Sequence, residues 1–464
     1  MSETIQKHTG NSYMDKGYRS YVLLSLTLIY TLNFLDRILI SVLSRPIIEE
    51  FSLSNFEFGI LSGIGFALFY TALGIPIARL SEHISRIKII GFCLILWSLA
   101  TVLCGFAVGF ITLLLARLAV GVGEAGCTPP ANSVISDYFK PLDRPVALGI
   151  YAMGIPLGSV LAQLGGGFVL KAFTWREAFI YIGAPGVLIG VILLLTIKEP
   201  PRGYSDPVDT IPVKKVSLRA AIEELMGKPS FWWMTAGMSM GTFGGYGLIM
   251  FKSLFLQYTF DLSPGDAAIY YMAPIALAGA VGAPLAGYLI KRYSKNNQLA
   301  SLWVPAFAFF ISSPLLITAF LSSNLTLTFI AFICAGLFQY FYIAASFNIV
   351  QSITSQRVRA TAIAFMLFLI NLIGYGAGPP FVGAVADILT STRLETFGVS
   401  DVLSFGCNPK DITLDAVLQN KCIEAKAYGM KWAAITASAI FSLAGVLYII
   451  AGRHYRKDAG LQQA

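Results

Sequence analysis

The sequence predicts an all-α membrane protein with twelve transmembrane helices in two six-helix bundles. Three observations carry that expectation. Of 464 residues, 56% are hydrophobic and only 12% charged, with mean hydropathy +0.70, whereas soluble domains are roughly 45–50% apolar and 25% charged. About twelve stretches reach the roughly 20 apolar residues that a spanning helix needs. Finally, motifs in the first half recur in the second. The alternating decamers of a membrane β-barrel are absent.

The apolar stretches run approximately over 20–44, 56–80, 88–110, 112–138, 146–170, 177–197, 230–257, 266–290, 299–321, 325–353, 361–389 and 428–451. A polar arm over 1–19 precedes helix 1, which is too long for a signal-peptide core and is expected to be retained. Helix 1 contains Asn33-Phe34-Leu35-Asp36-Arg37. A charge at the bilayer centre costs about 2.5–3.5 kcal/mol on insertion scales, so an acid and a base there point to function and need partners. Successive residues diverge around a helix, so each is expected to pair across helices.

Helix 2 ends in a short charged connection, Ala78-Arg79-Leu80-Ser81-Glu82-His83-Ile84-Ser85-Arg86, and a comparable run at 287–295 joins helices 8 and 9. A second echo pairs 144–150, opening helix 5, with 359–365, opening helix 11. Offsets near half the chain predict a parallel repeat of six helices, 20–197 and 230–452, with the substrate path at their interface.

In helix 4, Arg117, Gly121, Glu124 and Thr128 share one helical face. At 1.5 Å per residue Arg37 lies about 25 Å above the start of helix 1, and Glu124 roughly 22 Å above the end of helix 4. The two meet at one level. The pairing expected is Arg37 with Glu124, leaving Asp36 to polar neighbours or Arg117, and a substrate that takes Arg37 away then frees Glu124 to accept a proton. The competing reading is a structural network that only holds the helices in register.

Helices 5 and 11 are rich in glycine (Gly149, Gly154, Gly158 and 165–167; Gly374, Gly376, Gly378), which suits close packing and bending. Between the halves, 198–229 forms a polar linker in which Leu218, Ile222 and Leu225 oppose Arg219, Glu223 and Glu224, an amphipathic helix expected at the membrane surface. The chain closes with a loop over 391–427, on the side opposite the linker, and a tail over 453–464. Cys93, Cys104, Cys127 and Cys334 fall in apolar helices and read as small core residues. Cys407 and Cys422 share the 391–427 loop and are candidates for a disulfide.

Tyr70, Gln163, Tyr246, Lys252, Gln339, Tyr340, Asn348 and Asn371 are polar groups in helices that can line a cavity. Lys252, late in helix 7, can also snorkel outward. With Arg37, Asn33, Arg117 and Thr128 they describe a cationic spot with greasy walls, suited to an amphipathic anion. His8, His83 and His454 lie outside the apolar cores, so no intramembrane histidine metal site is expected, and no phosphate-binding loop occurs. No cofactor is expected. Energy must come from an ion or substrate gradient.

Lysine and arginine concentrate on alternate loops. Lys7, Lys16, Arg19, Arg79, Arg86, Lys88, Lys140, Arg144, Lys291, Arg292, Lys295, Arg357, Arg359, Arg453, Arg456 and Lys457 share one face, which predicts cytoplasmic N- and C-termini. The formal charge of +8 is therefore a topology signal spread over loops, with no nucleic-acid-binding face.

At these residues the chain resembles the major facilitator superfamily, and within it the spinster-like branch, over nearly its full length. The 78–87 loop is similar to the signature Gly-x-Leu-Ala-Asp-Arg-x-Gly-Arg-Lys, with Ala78, Glu82, His83, Ser85 and Ile87 as departures and Arg86 kept. Helix 4 matches Arg-x-x-x-Gly-x-Gly-Glu at Arg117, Gly121, Gly123 and Glu124. Leu35-Asp36-Arg37 and Trp175-Arg176 also resemble spinster sequences. The second copy of the loop departs further, with Lys291 where an acid stands in the family pattern.

The resemblance implies a non-enzymatic, alternating-access transporter of a bacterial inner membrane. It implies Asp36, Arg37 and Glu124 in proton coupling and Arg79, Glu82 and Arg86 around an inner gate. Lysophospholipids or sphingosine-phosphate-like lipids are its implied cargo in eukaryotic members, and sugars or small organic acids in bacterial relatives. Besides cargo, protons and membrane lipids are the expected partners, and a monomer is the expected form. Facilitated uniport or exchange of sugars or small organic or aromatic acids is the alternative.

Overall fold

In a computed structural model of the chain, residues 15–140, 143–205, 218–294, 297, 299–355, 358–399, 407 and 415–460 are described, and among them all regular structure is helical. Twelve elements follow the predicted order. α1 is Lys16–Val42, α2 is Asn55–Ser62 continued by Ile64–Leu80, and α3 is Arg86–Cys104. α4 is Phe110–Glu124 continued by Thr128–Tyr138, α5 is Arg144–Ala152 with Gly154–Ala172, and α6 is Trp175–Thr196. The second half has α7 (Pro229–Phe260), α8 (Ala273–Ser294, entered through a π turn Ala267–Met272) and α9 (Ala300–Leu321). It ends with α10 (Leu325–Phe338 and Phe341–Ile353), α11 (Arg359–Leu369, a π turn Ile370–Gly376, Ala377–Thr396) and α12 (Ala416–Asp458).

Local sequence starts these helices where expected. Ser54 with Glu57 and Thr174 with Glu177 form capping boxes at α2 and α6, and the Ser85 hydroxyl caps α3, satisfying amide groups that a helix N-terminus leaves free. Among the described residues eleven segments are long and apolar enough to cross a membrane. α7 is not one of them by hydropathy, although its 32 residues suffice in length. Glycine, serine, threonine and Lys252 dilute its apolar content. The helix is buried along most of its length, where other helices and not lipid surround it.

Several spans expected to be continuous are interrupted: α2 at Gly63, α4 over 125–127, α5 at Met153, α10 at Gln339 and Tyr340, and α8 and α11 by π turns. Pro129 and Pro130 lack the N–H that would continue α4 across its break. The interruptions fall on corresponding helices of the two halves, 2 with 8, 4 with 10 and 5 with 11. Irregular backbone at membrane depth is tolerated where it is buried in protein or lines a cavity.

One face of the bundle carries the start of α1 and the end of α12. There the Tyr18 hydroxyl accepts from Lys198 N–H at 2.8 Å, and Ser230 N–H donates to the Asp458 carboxylate at 2.8 Å. On this terminal face the helix Leu218–Met226 packs against the starts of α7 and α11. Ala221 and Leu225 are buried while Ile222 is 37% exposed, and Glu224 accepts from Ser355 N–H and Oγ, each at 3.0 Å. Of the expected stripe, Leu225 packs on the protein and Ile222 stands on the outer side of the helix. Glu224, assigned to the polar side, instead fastens the helix to the second half.

The halves meet on the opposite face. Lys171 at the end of α5 pairs with Asp266 ahead of α8 at 2.8 Å. α2 crosses α11 closely: a Cβ on Gly383 would stand 2.2 Å from the Asn55 carbonyl oxygen. Cys407 and Cys422 form a disulfide. Lys7, His8, Lys295 and Arg357 lie outside the described residues, as do parts of the N-terminal arm, linker, 391–427 loop and tail.

Candidate functional site

Arg37 sits in the last third of α1, and Glu124 is the final residue of α4 before its break. Arg37 Nε donates to Glu124 Oε2 at 2.6 Å, with side chains 4% and 0% exposed. Three rings surround the guanidinium, Phe34 at 4.9 Å, Phe66 at 4.7 Å and Tyr70 at 4.3 Å from its Cζ. Such cation–π contacts strengthen when desolvated. Removing either partner of so buried a pair leaves an uncompensated charge.

Arg117 donates to the main-chain oxygen of Asp36 at 3.3 Å, and the Asp36 carboxyl is faced by Arg117, Thr101 and Trp97. Two guanidinium groups and two carboxyl groups thus share one cluster. Its hydrogen bonding is incomplete: Arg37 Nη2, Glu124 Oε1, Thr128 Oγ1, Arg117 Nε and Nη2, and both Asn33 amide atoms are buried without a partner. Natural interiors rarely leave such atoms unpaired, so the cluster has capacity for water, protons or a ligand.

Next to it lie two narrow adjoining cavities, both touching Ile38, Ser159, Ile249, Gln339 and Tyr340. The larger reaches Phe34, Tyr246 and Tyr375, whose rings meet edge to face at 4.5 Å in the latter pair; the smaller reaches Gln163 and Lys252. Gln163, Tyr246, Gln339 and Tyr340, expected in a cavity, line one here. Asn371 is half-buried in the α11 π turn and borders neither cavity.

Two expectations are corrected. Lys252 does not snorkel out: it is 4% exposed, because α7 is enclosed by other helices. Asn348 is exposed and donates to Ser301 Oγ at 2.8 Å, bracing α10 on α9. Its helix continues past the break at Gln339 and Tyr340, which carries it away from the central space.

Arg79 and Glu82 are exposed on the terminal face, whereas Arg86 is 1% exposed. Arg86 pairs with Asp137 and with Glu199, at 2.7 Å, and donates to Ser133 Oγ and the Pro200 carbonyl. Asp137 and Ser133 belong to its own half and Glu199 and Pro200 to the start of the linker. Trp175 and Arg176 both reach Glu50 at 2.6 Å, tying α6 to the short helix Ser44–Phe51.

Sequence reasoning missed Asp387, whose carboxylate binds the start of α2 across the halves. An acid inside the apolar run of helix 11 was the available signal. It also missed Ser159, Tyr375 and the stack of Tyr30 on Tyr151 at 4.4 Å, for which composition gave none.

Twelve helices in two repeated halves, sealed on one face around buried charges and a central cavity, define a membrane transporter and not an enzyme. Residues 26–400 match the Major Facilitator Superfamily, and the chain belongs to that family. It is spinster-like within it. A crystal structure of a bacterial homologue of the human lysosomal transporter spinster, inward-facing and unoccupied, superposes with TM-score 0.88 at 39% identity, covering 96% of this chain and 99% of that one. An MFS-type efflux pump of Mycolicibacterium smegmatis is 31% identical, over 79% of this chain and 84% of its own. Protein spinster of Drosophila melanogaster is 27% identical, over 78% of this chain and 61% of its own.

Proposed function

We propose that the chain is a proton-coupled, alternating-access transporter of an amphipathic anion such as a lysophospholipid or sphingosine-phosphate-like lipid. It works as a monomer in a bacterial inner membrane with both termini cytoplasmic. The Arg37–Glu124 pair carries this reading: a cation and an acid buried at 2.6 Å, each with an unused polar atom, beside a cavity. A cargo anion that draws Arg37 off Glu124 leaves the carboxylate uncompensated in a dry site, and a proton then neutralises it. Cargo and proton are thereby linked by competition for one guanidinium. Asp36, held by Arg117, keeps α1 and α4 in register while this happens. Asn33, Thr128, Tyr70, Gln163, Tyr246, Gln339 and Tyr340 would contact cargo, with Asn371 nearby. Arg79, Glu82 and Arg86 would gate the terminal face once it closes.

Facilitated uniport or exchange of sugars or small organic or aromatic acids is a second reading, favoured by the amide side chains of Gln163 and Gln339 on the cavity wall. Counterflow of labelled lysophosphatidate in proteoliposomes, with and without a pH gradient, separates the two. Glu124→Gln is expected to fold and bind cargo but to lose stimulation by the gradient. Gradient-dependent uptake unchanged in that variant would overturn the coupling role.

A further inference from the structure

The two halves repeat their central chemistry with one substitution. Lys252 lies 215 residues after Arg37, the offset that also relates Arg144 to Arg359, and Gln339 lies 215 residues after Glu124. The elements agree with this numbering: Glu124 ends the first segment of α4, Gln339 follows the first segment of α10, and those segments begin at Phe110 and Leu325, again 215 apart. Phe332 occupies the place of Arg117, and Phe251 that of Asp36. The second half therefore keeps the cation of the Arg37–Glu124 site, replaces its acid by a neutral amide and removes the flanking charges.

The consequence is visible around the amine. Lys252 is 4% exposed, makes no hydrogen bond or ion pair among the described residues, and lies 5.4 Å from the Phe332 ring centroid. Gln339 and Gln163 share its cavity wall, and each amide carries an NH2 that can donate to an anion. Arg37 and Arg117 are balanced by Asp36 and Glu124, so Lys252 is the one unbalanced charge on the described walls. A buried ionised amine is costly without a counter-charge, and the described residues supply none.

We propose that Lys252 is a second anion subsite, where the amine and the Gln163 and Gln339 amides hold an oxyanion of the cargo, a carboxylate or a phosphate. This rests on the reading of the cargo as an anion and deepens it. The first half's cation carries its own exchangeable counter-ion; the second half's waits for one from the substrate.

The test is counterflow in proteoliposomes of the full chain. The probes are 1-oleoyl-lysophosphatidate and glucuronate, with monoolein and glucose as uncharged counterparts. Lys252→Met should raise the half-saturating concentration of the transported acid by about thirtyfold or more, as expected for removing one partner of a buried charge pair. It should leave the response to a pH gradient intact. Lys252→Arg should restore the wild-type value to within about threefold, which shows that the position tolerates substitution. The acid that loses affinity identifies phosphate or carboxylate as the bound group. Unchanged affinity for acids in Lys252→Met, or equal loss for charged and uncharged probes, overturns the subsite and leaves the Glu124 coupling test standing. If the wild type takes up neither acid, the anion reading fails and the subsite with it.

Discussion

Asp387 on α11 caps the start of α2 on the other half of the molecule: its carboxylate accepts from Asn55 N–H at 3.0 Å, Asn55 Nδ2 at 2.8 Å and Phe56 N–H at 2.8 Å. A carboxylate at a helix N-terminus meets free amides and the positive end of the helix dipole. Hydrogen bonds to a charged group contribute about 1.5–3 kcal/mol each. Asp387→Asn is expected to move the equilibrium towards opening of the opposite face by about tenfold or more. Spin labels on the opposite-face ends of α2 and α11 would show a longer-distance population; unchanged distances would count against the cap as a latch.

The seam between α1 and α5 depends on Gly158. A Cβ there would stand 2.4 Å from the Thr31 carbonyl oxygen and 2.7 Å from the Phe34 Cβ, so backbone must move. Gly158→Val should cost about 1–3 kcal/mol, seen as a lower melting temperature. By displacing Phe34 from under Arg37 it should also weaken transport.

Glu50 offers a pH dependence outside the spans. Partial burial pushes its carboxyl up, and the hydrogen bonds from Arg176 and Trp175 outweigh this, holding it below the ordinary carboxylate range. Stability from this contact is fully present above the unfolded value of about 4.3 and is lost as pH falls through the lower folded value. With both side chains partly exposed, Glu50→Gln should cost about 1 kcal/mol or less at pH 7. Thermal melts of variant and wild type should converge in strong acid.

Reducing the Cys407–Cys422 bond reopens a loop of sequence separation 15. Chain-entropy arguments put its contribution at about 3 kcal/mol. Cys422→Ser and reductant-treated wild type should melt alike, both below the oxidised protein, with alkylation and mass spectrometry reporting the thiols.

The charged centre was largely legible because helical rise is constant. Counting from the ends of helices 1 and 4 brings Arg37 and Glu124 to one level, and burial then forces opposite charges together. Lys252 illustrates the limit. Its amine looks like any lysine near a helix end until the helices around α7 are in place, and its kinship with Arg37 is hidden because the acid of the second copy has become Gln339. Asp387 was overlooked although an acid in an apolar run is itself a signal, since its partners are two backbone amides and the Asn55 amide more than three hundred residues away, which nothing local in the sequence pairs with it. Periodicity alone gave the apolar stripe of the linker helix, but not its attachment through Glu224 to Ser355, more than a hundred residues away.

The interruption of α5 at Met153 separates a short segment, Arg144–Ala152, from the part anchored to α1 through Gly158. A hinge there would let the terminal-face segment, with the exposed Ile150, swing inward while the anchored part keeps its seam. With the Asp387 latch still fastened on the far side, such a swing would shut cargo away from both compartments at once, a resting point between loading and release.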